Sequence, residues 1–303
     1  MAKLQQPDFV YMNGAIRKWD EAVVHISTEA VTRGLNVFEG LKGYWNTECT
    51  SFGLVALPRH FARLQRSARL LHIPCPVTFA EFEKATYNLL GKLVKPDRDM
   101  WLRATLLVVE GHWGEGTKAD LVLTAYHQDK ERPAPLRVGV STWQRSNDVS
   151  LPARIKTSTN YQVARLARIE GRRQGFSEMI LLNQLGRVAE TTATGILVVR
   201  DGTVFTPPAT EGALESITIN IMEDISRSLG IPFVRRPIDR TELIVADEMA
   251  VAGTLSEVAL ITHIDGYDLP TKTPLLDAIA ARFWAAVRQE NPHSAIDLSI
   301  VPK

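Results

Sequence analysis

The stretch GRVAETTATGILVVRDGTVFTPP, residues 186–208, constrains the fold of this chain more tightly than any other. Asp201-Gly202 is a two-residue turn of the kind that joins twisted antiparallel strands, and apolar residues alternate along both of its arms. Extended upstream to SEMILLNQLG, the segment predicts three strands joined at 183–186 and at Asp201-Gly202. One carboxylate, Glu190, stands between an apolar strand and a run of Thr, Ala and Gly. A carboxylate in surroundings that predict burial needs a partner that rewards its charge, or it takes up a proton.

The flanking regions mix helices and strands. FVYMNGAIRKW is a hairpin turning at Asn13-Gly14, and LPRHFARLQRSARLLHIP carries Phe61, Leu64, Ala68 and Leu71 at helical spacing up to Pro74. A second helix follows with Thr78 as its N-cap. DMWLRATLLVVEG and ADLVLTAYHQ are apolar strands. After the charged, proline-bearing DKERPAP comes the strand LRVGVSTWQR, and then a helix ending near Gly175. SITINIMEDISRSLG puts Ile217, Ile221, Ile225 and Leu229 on one helical face, closed by Gly230, and PLLDAIAARFWAAVRQE is the last long helix. Strands and helices do not alternate as βαβ units, so the expected class is α+β. The expected division is a small domain over residues 1–126, a short interdomain loop over 127–135 and a larger domain over 136–303.

Composition narrows the function. A chain of 303 residues, 45% hydrophobic, buries a large core and accommodates two domains. The 35 Lys and Arg nearly balance the 34 Asp and Glu, which argues against a nucleic-acid or anionic-membrane surface. Cys49 and Cys75 lie in no Cys/His ligand spacing and the seven histidines are scattered, so no metal site is expected. No apolar run approaches the roughly 18–20 residues of a membrane span, and MAKLQQPDFVYMNG lacks the apolar core of a signal peptide, so a cytoplasmic protein is expected. P-loop, zinc-protease and nucleophile-elbow motifs are missing.

Taken singly, the remaining candidates are ordinary. Lys156 in LPARIKTSTNYQ reads as a loop lysine, and Thr218 as a first-turn residue behind the N-cap Ser216. Arg63 belongs to a stripe with Arg59, Arg66 and Arg69, and Thr254 sits in a turn.

Their order is not ordinary. KTSTNY, then GRVAETTATGILVVRDGTVFTPP, then ALESIT, then ADEMAVAGTLSE resembles the branched-chain-type, fold-type-IV pyridoxal-phosphate aminotransferases, and TRGLNVFEGLKGYW with RHFARL is similar to the same family's N-terminal segments. The resemblance spans roughly residues 8–266 and implies two α/β domains, pyridoxal 5'-phosphate as cofactor and a homodimer with shared active sites. It also implies transfer of an amino group between an L-amino acid and a 2-oxo acid such as 2-oxoglutarate, by a ping-pong route through pyridoxamine phosphate.

Residue by residue, the resemblance makes Lys156 the lysine that holds the cofactor's aldehyde and then moves the proton. It places Glu190 against the pyridine nitrogen, where it answers the need for a charged partner. Arg63, Ile217, Thr218 and Thr254 take the phosphate, Leu214 packs on the ring and Tyr161 bonds its phenolic oxygen. Phe38, Trp101, Arg103, Thr254 and Leu255 line the substrate side. Trp101 and Arg33 stand where the family commonly carries tyrosines, and Arg33 is expected to hold a carboxylate by its guanidinium fork. Alternatives of the same fold are a D-amino-acid or (R)-amine aminotransferase and an aminodeoxychorismate-type lyase.

Overall fold

Two β-sheets organise the chain, one in each of two units of the computed structural model, which describes residues 5–302. The first unit takes Met1–Glu131, Ile155–Thr159 and Val287–Lys303, and the second takes Arg132–Arg154 and Asn160–Ala286. Two later segments thus group with the first unit rather than with the residues that follow the 127–135 loop.

In chain order the first unit supplies β1 (Phe9–Met12), β2 (Ala15–Lys18), the single turn α1 (Glu29–Thr32), β3 (Asn36–Asn46), β4 (Ser51–Val55), α2 (Leu57–Leu70), α3 (Phe79–Leu93), β5 (Asp99–His112) and β6 (Glu115–Gln128). The second supplies β7 (Leu136–Gln144), α4 (Tyr161–Arg173), β8 (Glu178–Leu182), β9 (Val188–Thr191), β10 (Gly195–Arg200), β11 (Thr203–Thr206), α5 (Ile217–Ser228), β12 (Phe233–Arg235), β13 (Glu248–Gly253), β14 (Glu257–Ile264) and β15 (Tyr267–Asp268). Helix α6 (Pro274–Val287) leads back to the first unit, where β16 (Leu298–Ile300) pairs with β4. Helices and antiparallel pairs are mixed, as an α+β fold requires.

The first sheet runs β16-β4-β3-β5-β6-β1-β2 and is antiparallel at every pairing. Asn13 and Gly14 both adopt positive φ, 53° and 75°, which gives the predicted hairpin its twist-matched turn. Helix α3 starts as expected at Thr78, whose hydroxyl accepts the Glu81 N–H while Glu81 reaches back to the Thr78 N–H. Phe61, Leu64 and Ala68 of α2 join Phe82 and Leu89 of α3 and Leu41 and Leu102 of the sheet in one core. Asp99, wholly buried, is held by Arg288 at 2.7 Å and by the Trp45 N–H at 3.0 Å.

The second sheet orders its strands β12-β11-β10-β13-β14-β7-β8-β9, with β15 on β14. It is parallel at β11–β12, β14–β7 and β7–β8. Asp201 and Gly202 take φ values of 49° and 74°, so the turn read from the sequence forms. The three strands expected over residues 177–208 are four. The Thr191 hydroxyl accepts the Thr194 N–H at 3.1 Å and donates to the Thr194 carbonyl at 3.1 Å, so a threonine-built turn separates β9 from β10. Leu229 also departs from expectation: it is the C-cap of α5 and 40% exposed, while Ile217, Ile221 and Ile225 are buried.

Candidate active site

Lys156 is held by the first unit's sheet. β4 pairs with β3 only over 43–46, which leaves the edge at residues 36–38 open on that side. The segment around Lys156 fills it: the Phe38 N–H donates to the Lys156 carbonyl at 2.9 Å, and Val37 bridges Thr157. The Lys156 N–H in turn donates to the Ser67 hydroxyl of α2 at 3.1 Å. With its backbone so fixed, Lys156 places Nζ 4.9 Å from the centroid of the Phe38 ring.

Register brings the other first-unit candidates to the same place. Phe38, Gly40 and Lys42 of β3 face Thr105, Arg103 and Trp101 of β5, and alternation puts all six on one face of the sheet. The Arg103 guanidinium lies 3.7 Å from the Phe38 centroid and is steadied by the Thr105 and Ser158 hydroxyls, both at 3.3 Å. Trp101 stacks on Tyr126 at 5.4 Å between centroids. A Cβ at Gly40 would come within 3.0 Å of the Trp101 indole nitrogen, so the glycine is what admits the tryptophan.

Glu39 points to the opposite face, toward α2. Its two oxygens take Nε and Nη2 of Arg63, each at 2.7 Å, and His60 Nδ1 lies 2.7 Å from Oε2. His60 and Arg63 share one side of α2 by their spacing of three. Burial alone would push the Glu39 carboxyl up. The Arg63 charge and hydrogen bond, with those of His60, outweigh it and bring the group down to about 2. Burial pushes His60 down, against the pull of Glu39, and the Arg63 and Lys156 charges push it down further. Glu39 and His60 were not anticipated: each lies inside a motif already read for its other residues, and neither has a local pattern.

Arg33 has a different setting. Its Nη1 donates to Glu29 Oε1 at 3.1 Å, and its guanidinium covers the Trp113 ring at 4.6 Å. The same Glu29 oxygen accepts the Trp113 N–H at 3.1 Å, which ties α1 to the β5–β6 hairpin.

In the second unit Glu190 is buried on β9. One oxygen pairs with Arg145 Nη2 at 2.9 Å and the other accepts the Leu214 N–H at 3.1 Å. The partner that rewards the charge of Glu190 in this structure is a residue of this chain, Arg145, which sequence reasoning passed over. No local pattern marks it, because its place at the carboxyl end of a parallel strand exists only once β7 and β8 pair. Tyr161 opens α4, directly after Asn160, whose carbonyl accepts Arg145 Nη1 at 3.2 Å.

Ile217 and Thr218 occupy the first turn of α5, both buried, with Ser216 capping the Ile219 N–H at 3.2 Å. That turn aims free backbone N–H groups and the positive end of a twelve-residue helix at one point. A Cβ at Gly195 would strike Ile219 at 2.7 Å, so the start of β10 closes tightly on this turn, and one at Gly253 would strike Thr194 at 2.6 Å, so the end of β13 closes on the residue before β10. Thr254 and Leu255 follow directly in the β13–β14 turn, Thr254 half-buried and Leu255 42% exposed.

Comparison with known proteins follows the same lines. The model of the family described as amino-transferase class IV matches residues 36–264. A probable branched-chain-amino-acid aminotransferase of Aquifex aeolicus (strain VF5) is 30% identical over 271 residues, covering 88% of this chain and 87% of the relative. Among solved structures, a branched-chain aminotransferase of the thermophilic archaeon Thermoproteus uzoniensis, crystallised with norvaline, superposes with a TM-score of 0.90 at 29% identity, covering 97% of this chain and 99% of the other. The branched-chain aminotransferase of Thermobaculum terrenum in its PLP form gives a TM-score of 0.89 at 28% identity, covering 98% and 99%.

Proposed function

The chain belongs to the amino-transferase class IV family, and from that premise we propose that it exchanges amino groups between a branched-chain or related L-amino acid and a 2-oxo acid such as 2-oxoglutarate. Membership makes it a pyridoxal-phosphate-dependent transaminase of amino acids and 2-oxo acids. When bound, the cofactor supplies an aldehyde for the amino group and a pyridine ring that draws electrons from the substrate's Cα.

The residues fit that group. A lysine amine, a helix N-terminus with a buried hydroxyl and a buried carboxylate are the three donors that an aldehyde, a phosphate and a ring nitrogen ask for. In this reading Lys156 would hold the aldehyde carbon and would be the base for the proton at Cα. Glu190 would hold a proton at the ring nitrogen, Tyr161 would hold the phenolic oxygen and Leu214 would pack on the ring. Arg63, the first turn of α5 at Ile217 and Thr218, and Thr254 bind the phosphate.

The observation that carries the substrate reading is the pairing of Lys156 and Arg103 about one ring, Phe38. A base for the amine chemistry and a fork for a carboxylate lie together, as an amino acid requires and a simple amine does not. Trp101 bounds that face, and the resemblance assigns Thr254 and Leu255 to the substrate as well. Arg103 shares the Phe38 ring with Lys156, so it is the first anchor for the carboxylate, and Arg33, which pairs with Glu29, is the second.

A homodimer with shared sites, in the cytoplasm, accords with two features. Val23, Ile26 and Trp113 of the first unit are 73%, 77% and 76% exposed, large apolar side chains of the kind a partner subunit would cover. Cys49 and Cys75 are both free thiols. No helix among the described residues is long and apolar enough to cross a membrane.

A panel of amino donors against 2-oxoglutarate and pyruvate tests the reading. L-leucine, L-isoleucine and L-valine with 2-oxoglutarate are expected to turn over fastest. Faster reaction of D-alanine or an (R)-amine, or pyruvate release without any oxo-acid acceptor, overturns it.

A further inference from the structure

We propose that Arg145 is the positioning residue for Glu190, and that it acts by tying together the three second-unit segments that carry Glu190, Tyr161 and Leu214. This rests on the reading of Glu190 as the partner of the cofactor's ring nitrogen.

Arg145 follows β7 directly, and its backbone N–H donates to the Leu182 carbonyl at 2.8 Å, so its side chain leaves from the carboxyl end of the parallel β7–β8 pair. The side chain is 7% exposed and uses every nitrogen of its guanidinium. Nη2 reaches Glu190 Oε1 at 2.9 Å, Nη1 the Asn160 carbonyl at 3.2 Å and Nε the Gly212 carbonyl at 3.3 Å. Asn160 is the residue before Tyr161. Gly212 stands two before Leu214, whose N–H takes the other Glu190 oxygen at 3.1 Å.

Both oxygens of Glu190 are therefore fixed, one by Arg145 and one by the loop that Arg145 holds. An ionised carboxylate has acceptor sites to spare, so a carboxylate pinned in this way still has one to offer a further donor. Gly212 has a φ of +91°, and a Cβ there would sit 3.4 Å from Arg145 Cγ, so the loop turns against the arginine at a position suited to glycine. Lysine has neither the planar fork nor enough fixed directions to replace it. Without Arg145 a buried carboxylate loses its counter-charge and one of its two orientation constraints.

The test is cofactor binding to the apo-protein, read by fluorescence titration with pyridoxal phosphate and with its 1-deaza analogue, in which carbon replaces the ring nitrogen. Arg145→Met is expected to weaken pyridoxal phosphate by about ten- to a hundredfold, the range for a charge-assisted hydrogen bond, and the deaza analogue by much less. Arg145→Lys should fall between Arg145→Met and the parent chain. Adding Arg145→Met to Glu190→Gln should change the affinity little beyond Glu190→Gln alone. Equal weakening of both cofactors by Arg145→Met, with a lowered melting temperature, makes Arg145 a merely structural residue and overturns the proposal. Should Arg145→Met not fold, Arg145→Lys carries the same comparison with the same two outcomes. Glu190→Gln alone separates the premise: if it affects both cofactors alike, the reading of Glu190 itself is wrong.

Discussion

Glu39 holds Arg63 by both edges of one carboxylate, 2.7 Å to Nε and 2.7 Å to Nη2, with neither side chain more than 5% exposed. An arginine proposed to take a phosphate is thus aimed by a buried anion rather than left to swing on its stem. The pair has a measurable worth. Glu39→Ala strands a buried guanidinium, which costs about 3–5 kcal/mol by the general behaviour of broken buried pairs. Urea denaturation of the apo-protein checks this, and a loss near zero would show that Arg63 finds solvent when its partner is removed.

The same cluster sets an acid limit on stability. Glu39 titrates near 2 in the folded chain against an ordinary 4.5, so the unfolded chain binds the extra proton between those values. His60 is also pushed down from 6.5, so below that pH the unfolded chain again takes up protons that the folded chain refuses. Both contributions are present above 6.5 and are lost as pH falls. Melting temperature should decline from about pH 6.5 downward, and His60→Gln should flatten the first part of that decline. A parent and a variant with superimposable pH profiles between 6.5 and 5 would remove His60 from the account.

Borohydride reduction of the cofactor-loaded protein, followed by peptide mapping, is expected to label Lys156 alone. Lys156→Ala should lose the label and lower turnover by at least about a thousandfold, since both the covalent anchor and the proton carrier go with one side chain. A label on another lysine would move the chemistry elsewhere.

Arg103→Ala and Arg33→Ala should differ. Arg103 lies over the Phe38 ring beside Lys156 and is held by the Thr105 and Ser158 hydroxyls, so, as the proposed carboxylate anchor, its loss should cut kcat/KM for an amino acid by about ten- to a hundredfold and spare a simple amine. Arg33 is paired with Glu29 and covers Trp113, so Arg33→Ala should cost a smaller factor for the amino acid. Equal losses for amine and amino acid in Arg103→Ala would leave the carboxylate without its proposed anchor.

The parts of the fold legible in the sequence are those whose causes are local. Asn13-Gly14 and Asp201-Gly202 take the positive φ values that their side chains permit, and Thr78 and Ser216 cap the helices they precede. The motif order also singled out Lys156 and Glu190 as candidates, and Glu190 is buried as its flanking residues predicted. What it missed is pairing across distance. Arg145 meets Glu190 only after β7 and β8 lie side by side, and Glu39 meets Arg63 only when α2 packs on β3. The split between β9 and β10 was missed for a different reason: threonine favours strands by its branching, and here its hydroxyl competes with the ladder and wins.

Asp99 and Arg288 stand 189 residues apart in the chain, and β16 closes on β4 from the same late segment. On a ribosome adding roughly 5–20 residues per second, the carboxylate of Asp99 waits on the order of ten seconds or more for its counter-charge to be made. During that interval the edge of β4 is also without its strand, so the first part of the chain to be translated is the last to be finished. The open edge of β4 is therefore exposed for as long as the second unit is still being synthesised, the condition under which unpaired strand edges associate wrongly.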